Sequence, residues 1–436
     1  MQFSQFGEKF NQYSGITQLM DDLNDGLRTP GAIMLGGGNP AAIPEMLDYF
    51  HQSCTDMLNN GQLVNALANY DGPQGNNTLR ASLAALLRET YGWNISEKNI
   101  SLTNGSQSSF FYLFNLLAGK QPDGSHKKIL LPLAPEYIGY GDAGIDESLF
   151  ISYQPDITLL ENRQFKYHVD FEQLVVDDSI AAICASRPTN PTGNVLTDEE
   201  IERLDQLARA NNIPLIIDNA YGLPFPNIIF EEVKPFWNEN TILCMSLSKL
   251  GLPGVRCGIV IANEAITQAI TNMNGIISLA PGSLGPTLAQ HMIDNGDLLS
   301  LSNRVIQPFY RQKAQRAVEL LQQSITDERF RIHKPEGAMF LWLWFDELPI
   351  SSKTLYQRLK ARGVLIVPGE YFFIGIEADT NIDRKEWAHT RQCLRMNYVQ
   401  DDEKMQQGIA IIAEEVERAY QEQQQDAVEE EAINIA

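Results

Sequence analysis

The sequence predicts an α/β protein of two domains, a large one built on a mostly parallel seven-stranded sheet and a smaller α+β one. Three observations lead there. Short apolar runs alternate with longer amphipathic stretches. The chain has 436 residues and 44% hydrophobic content, more than one core usually fills. Its texture also changes near residue 301. The runs are ISL (100–102), ILLPL (129–133), LFISY (149–153), IAAICA (180–185), IPLIID (213–218), TILCMS (241–246) and GIVIA (258–262). They read as buried strands, because a sheet covered on both faces shows continuous apolar runs rather than alternation. Helical stretches such as 197–211 fall between several of them. From residue 301 come a long polar helix (303–325), a strand pair around FRIHKP and GAMFLWLWF, a helix from Ser352, then VLIVPG and CLRMNYV. The expected division is an N-terminal segment 1–44 contributing to the small domain, a large domain 45–300, a small domain 301–420 and a tail 421–436.

Charge and composition narrow the function. The 55 acidic and 33 basic residues give a formal net charge of -22, which repels phosphate backbones and anionic lipid, so nucleic acid and membrane are not expected partners. In the tail, Glu429, Glu430 and Glu431 follow a Gln-rich run, and the segment reads as a solvated, disordered acidic end. The first ten residues lack the basic start and apolar stretch of a secretory leader, and no apolar run of about 18 residues occurs. A cytoplasmic protein is therefore expected. Five cysteines form no CxxC pair and read as reduced, buried thiols. The six histidines are scattered, so no metal site is expected.

Chemistry-bearing residues gather at the ends of the strands, where an α/β sheet builds its sites. After ISL comes Thr103-Asn104-Gly105-Ser106-Gln107-Ser108-Ser109, then an apolar helical run. A glycine and small hydroxyl residues at a helix start offer free N–H groups and the positive dipole end to a phosphate, although such residues also cap ordinary helices. After IAAICA comes Arg187-Pro188-Thr189-Asn190-Pro191-Thr192-Gly193, a stiff turn that holds the Asn190 amide. IPLIID ends in Asp218-Asn219-Ala220-Tyr221, and a buried aspartate needs a cationic partner. TILCMS leads into Ser246-Leu247-Ser248-Lys249-Leu250-Gly251-Leu252-Pro253-Gly254-Val255-Arg256, which sets a lysine and an arginine among hydroxyls and glycines.

NPTG, then DxxY, then SxSK followed by PGxRxG, resembles the aspartate-aminotransferase-like superfamily of pyridoxal 5'-phosphate (PLP) enzymes, fold type I, and the resemblance spans residues 34–398. It implies a PLP-binding large domain and a role for each motif. Lys249 would bond PLP covalently and then carry the proton between the substrate Cα and the cofactor carbon. Asp218 would pair with the protonated ring nitrogen, Tyr221 and Asn190 would hydrogen-bond the cofactor phenolate, and Tyr137 would stack on the ring. Gly105, Ser106, Gln107, Ser246, Ser248 and Arg256 would hold the phosphate. Tyr70 matches the tyrosine that reaches the phosphate from a neighbouring subunit, which implies a homodimer with shared active sites. On the substrate side, Arg395 would clamp the α-carboxylate, beside Asn190 and the close backbone of Gly38. Asn39 stands where the family commonly has an acidic residue, so the local pocket shape is open.

The superfamily supports several reactions on one frame. An aminotransferase is the first expectation, a C–S β-lyase the alternative, and a non-catalytic sensor a third class that the intact Lys249 argues against. Relatives acting on dicarboxylates need a second cation for the distal carboxylate, and no Lys or Arg occurs between Cys257 and Asn303. The middle of that stretch, 273–280, carries no charge, so an apolar, uncharged pocket is expected unless a cation arrives from elsewhere in the dimer. Valine and alanine are the expected donors, exchanging amino groups through 3-methyl-2-oxobutanoate and pyruvate.

Overall fold

The fold was established from a computed structural model, which describes residues 1–435 apart from Tyr13, Pro30 and 377–386 and leaves undescribed some side chains within 18–27 and those beyond 425. All seven apolar runs become strands of one large sheet. Its order is Ile100–Thr103, Gly258–Ile261, Thr241–Ser246, Leu215–Asp218, Ile180–Ser186 and His126–Leu131, and Phe150–Ser152 also pairs with His126–Leu131. A two-residue strand, Gly119–Lys120, turns back onto His126–Leu131 and makes the described sheet eight-stranded rather than seven-stranded. Only Gly258–Ile261 and this short strand run against the rest.

The continuity of the apolar runs follows from burial on both faces. Ile216, Cys244 and Val260 point to one face, where they meet Phe110, Phe114 and Ile270 from helices Ser106–Leu117 and Glu264–Ile277. Leu215, Ile217, Leu243 and Met245 point to the other, toward helices Pro44–Asn59, Asn77–Tyr91 and Asp198–Ala210. The last of these begins where the sequence predicts, because Thr197 and Glu200 cap each other's backbone reciprocally.

A second sheet runs Val367–Pro368, Cys393–Asn397, Phe340–Phe345, Phe330–His333, Gln164–His168 and Asp156–Leu160. The last two strands correct the expected division, since they lie within 45–300 in sequence yet pair with the later segment. Asn162 and Arg163 both adopt positive φ, the backbone of a tight hairpin turn. The hairpin then docks through parallel pairing with Phe330–His333 and a buried Lys166–Glu336 ion pair. Ile33–Met34 of the N-terminal segment pairs in parallel with Val364–Leu365.

Two more expectations are corrected. The polar helix foreseen over 303–325 is one wide turn over Ser302–Ile306 followed by helix Gln307–Ser324, because Pro308 cannot donate to the preceding turn and fits only at a fresh first turn. The acidic end is not an irregular tail: helix Asp402–Ile435 runs through it. Glu, Gln and Ala are strong helix formers, and Arg358 and Arg418 both bind Glu422. Four of the five cysteines are buried, while Cys54 is partly exposed. No described helix is long and apolar enough to cross a membrane.

Candidate active site

The parallel strands carry their last residues to one edge of the large sheet, and a cavity of about 500 Å³ opens there against the second sheet. Asp218 ends strand Leu215–Asp218, Ser246 ends Thr241–Ser246, and Lys249 lies in the single turn Ser248–Leu250 beyond it. Ser106 begins the helix Ser106–Leu117, and the second sheet contributes Arg395 from Cys393–Asn397. Twelve of the residues singled out from the sequence line this cavity. They are Ser106, Gln107, Tyr137, Ser246, Ser248 and Arg256 together with Gly38, Asn190, Asp218, Tyr221, Lys249 and Arg395. Two others stand apart. Gly105 lies just behind, and Tyr70 is 84% exposed and away from the cavity of its own chain.

Gly105 shows why the helix start is built as it is. Its φ of +95° and ψ of 157° suit glycine alone, and a Cβ there would come within 2.3 Å of Arg256 Nη2. The loop thus presses directly on the guanidinium, and the Ser246 and Ser248 hydroxyls, 3.0 Å apart, line the same cavity. Backbone N–H groups, two hydroxyls and a guanidinium form an anion cradle.

The charged groups carry the marks of a dry site. Lys249 Nζ donates to the Gly38 carbonyl at 2.6 Å and sits 5.3 Å from the Tyr221 ring centre. Burial pushes its pKa down to about 8, the charges of Arg395 and Arg256 act the same way, and Asp218 opposes them. Burial pushes Asp218 up to about 6, against hydrogen bonds from Tyr140 at 2.6 Å and the Ala220 N–H at 3.1 Å. Arg395 donates to Asn190 Oδ1 at 2.8 Å and to the Gly36 carbonyl at 2.7 Å, and its Nε has no hydrogen-bond partner. Phe340 and Phe372 lie 4.2 and 5.1 Å from its guanidinium carbon. A buried cation without a carboxylate partner among the described residues, lowered to about 10 by burial, is a seat for an anionic group.

Some functional residues escaped the sequence reading. Tyr140 hydrogen-bonds Asp218 directly, and its signal was a second phenol three residues after Tyr137 in PEYIGY. Asn397 donates to the Gly37 carbonyl and fixes the glycine loop. Segment 273–280 does not line the cavity of its own chain, and Ile276 and Leu279 within it are 86% and 59% exposed. Ile16, Met20, Met34, Ile138 and Val399 supply apolar surface instead. Among the described residues, Lys249, Arg256 and Arg395 are the only lysines and arginines lining it.

The donor set fits PLP. An amine poised to lose its proton suits an aldehyde, an acid at the sheet edge suits a protonated ring nitrogen, and the cradle suits a phosphate. Arg395 remains for a substrate carboxylate. Comparison with known proteins agrees. A family model described as aminotransferase class I and II matches residues 52–412. The chain is 63% identical to a valine–pyruvate aminotransferase of Escherichia coli K12 over 97% of this chain and 100% of that one. The crystal structure of a valine-pyruvate aminotransferase from Salmonella typhimurium LT2 matches with a TM-score of 0.86 and 60% identity, covering 94% of this chain and 100% of that one. A putative amino-acid aminotransferase from Psychrobacter arcticum 273-4 matches with a TM-score of 0.93 and 46% identity, covering 97% and 99%. Fold, site and similarity agree that the chain belongs to the class I and II aminotransferases, PLP-dependent enzymes of fold type I.

Proposed function

We propose that the enzyme exchanges amino groups between small aliphatic amino acids and 2-oxo acids, with L-valine and pyruvate giving 3-methyl-2-oxobutanoate and L-alanine. The observation that carries this reading is a cavity in which the buried Arg395 has no acidic partner among the described residues, with apolar surface from Ile16, Met20, Met34, Ile138 and Val399 and no further cation beyond Lys249 and Arg256. One carboxylate can be paired there, and a second would be left without a cation. The names of the 63% and 60% identical relatives support the same substrates.

Bound PLP supplies the electron sink that makes the substrate Cα–H acidic. Lys249 would hold the cofactor through its amine and would carry the proton that leaves the substrate Cα. Its depressed pKa suits that work, since a proton carrier is most effective near the working pH. Asp218 would keep the ring nitrogen protonated, Tyr221 and Asn190 would hold the cofactor phenolate, and Tyr137 would cover the ring. Gly105, Ser106, Gln107, Ser246, Ser248 and Arg256 would hold the phosphate. Arg395 and Asn190 orient the substrate carboxylate with the Gly38 backbone beside it. We place the enzyme in the cytoplasm as a homodimer in which Tyr70 of one subunit reaches the phosphate of the other.

The test compares kcat/KM for valine, alanine, 2-aminobutyrate, aspartate and glutamate. The first three are expected to lead by more than tenfold, the scale of one unpaired buried charge. A preference for either dicarboxylate overturns the substrate assignment. Following the absorbance during turnover also separates transfer from lyase chemistry, because transfer converts the cofactor to its amine form without releasing ammonia.

A further inference from the structure

We infer that Glu136 is a positioning residue that keeps the Asp218 carboxyl ionised through a relay of two hydroxyl groups, Ser186 and Tyr140. This deepens the proposed function, since it rests on Asp218 serving the cofactor ring.

The relay is continuous and dry. Glu136, Tyr140 and Ser186 are 1%, 0% and 2% exposed. Ser186 Oγ lies 2.6 Å from Glu136 Oε2, and the Ser186 N–H donates to Oε1 at 3.0 Å. The Tyr137 N–H approaches Oε2 at 3.3 Å. Ser186 Oγ is 3.3 Å from the Tyr140 hydroxyl, which donates to Asp218 Oδ2 at 2.6 Å. Ser186 and Asp218 are register partners on adjacent parallel strands, so the sheet itself sets the spacing. Phe110 and Phe114, with ring centres 4.9 and 5.2 Å from that of Tyr140, fix the phenol in place.

Charge decides which way the hydrogens point. The groups facing this cluster are the phenols of Tyr137 and Tyr140, the Cys184 and Cys244 thiols, Asp218, and Lys249 on the cavity side of Asp218. Among the described residues no Lys, Arg or His hydrogen-bonds or ion-pairs with Glu136. Lys249 favours the charge of Asp218. Two carboxyls close together in a dry cluster cannot both ionise cheaply, and the one without a cation keeps its proton. Burial first, and then the charge of Asp218, push Glu136 up to about 8.

A proton on Glu136 lets it donate to Ser186 Oγ, Ser186 to the Tyr140 oxygen, and Tyr140 to Asp218. All three O–H bonds then point toward the carboxylate and polarise one another. An ionised Glu136 would instead draw the Ser186 proton toward itself and leave two like charges at the ends of the chain.

The first test needs no cofactor. An infrared difference spectrum of apoenzyme at pH 7, wild type minus Glu136→Gln, is expected to show the carbonyl band of a protonated carboxyl. Its absence overturns the proposal and leaves the role of Asp218 intact. The second test loads the protein with PLP labelled with nitrogen-15 in the ring. Glu136→Ala and Ser186→Ala are expected to move the ring-nitrogen signal toward the unprotonated position and to lower kcat by about tenfold, the effect of one pKa unit. Glu136→Gln, a neutral donor of the same shape, is expected to restore the signal and most of kcat. Equal damage from Gln and Ala in folded protein would mean that charge, not the relay, is what matters, and would overturn the proposal. Should Glu136→Ala fail to fold, Ser186→Ala carries the test, and an unchanged nitrogen signal there overturns the relay. A signal unmoved in Asp218→Asn would overturn the cofactor reading together with this inference.

Discussion

Lys249 combines a long flexible side chain with a site that penalises its charge. Burial and two arginine charges act against the ammonium, and only Asp218 supports it. The folded pKa is therefore below the usual lysine value, so folded apoenzyme binds fewer protons than the unfolded chain between about 8 and the usual value of 10.5. Through this group stability rises with pH across that window, and the cost of burying the cation is present below it. Titrating the apoenzyme with an amine-selective reagent should show one lysine reacting with a midpoint near 8, absent in Lys249→Ala. A midpoint near 10 for that lysine would show that the site is wetter than its geometry. Lys249→Ala should also lose the yellow absorbance of lysine-bound cofactor and nearly all amino transfer, while still binding PLP non-covalently.

At the scale of elements, the phosphate cradle depends on how the helix Ser106–Leu117 begins. Gly105 turns the chain from strand Ile100–Thr103 into that helix with a backbone that other residues adopt at a cost of about 1–3 kcal/mol. Gly105→Ala adds to that strain a methyl group against Arg256. We expect PLP affinity to fall at least tenfold by equilibrium dialysis and the apoenzyme to unfold at lower denaturant. An affinity within twofold of wild type would show that the Arg256 guanidinium is free to move aside. The helix dipole and the N–H groups survive the change, so what this variant measures is the contact between loop and guanidinium.

For the whole molecule, the proposed homodimer requires a surface on which two copies can meet. Tyr70 is 84% exposed, with Leu67 and Val64 exposed on the adjacent helix Gln62–Ala68. Asn274, in helix Glu264–Ile277, donates to the Pro73 carbonyl, which sets Ile276 and Ile277 near the same loop. An exposed apolar surface of this kind suits a protein contact. If Tyr70 acts across it, mixing Tyr70→Phe with Arg395→Ala subunits should create hybrid dimers in which one site is intact, so the mixture should exceed either mutant in activity. Absence of rescue after demonstrated subunit exchange would rule out the shared site.

The sequence by itself determined where the strands of the large sheet lie along the chain and which chemistry-bearing residues follow them. Strands buried on both faces must be apolar throughout, so they stand out as runs, and the residues that follow them must lie at the sheet edge. Lys249, Asp218, Asn190 and Ser106 were legible for that reason, and Arg395 through its resemblance to a family motif. Tertiary structure alone decided that the hairpin Asp156–His168 joins the second sheet, because its partners Phe330–His333 and Glu336 lie more than 150 residues away. It also decided that segment 273–280 turns outward while Ile16 and Met20 face the cavity. The relay from Glu136 to Asp218 was hidden for the same reason. Its members come from a loop and two strands far apart in sequence, and local pattern carries no record of which distant groups a sheet will bring into register.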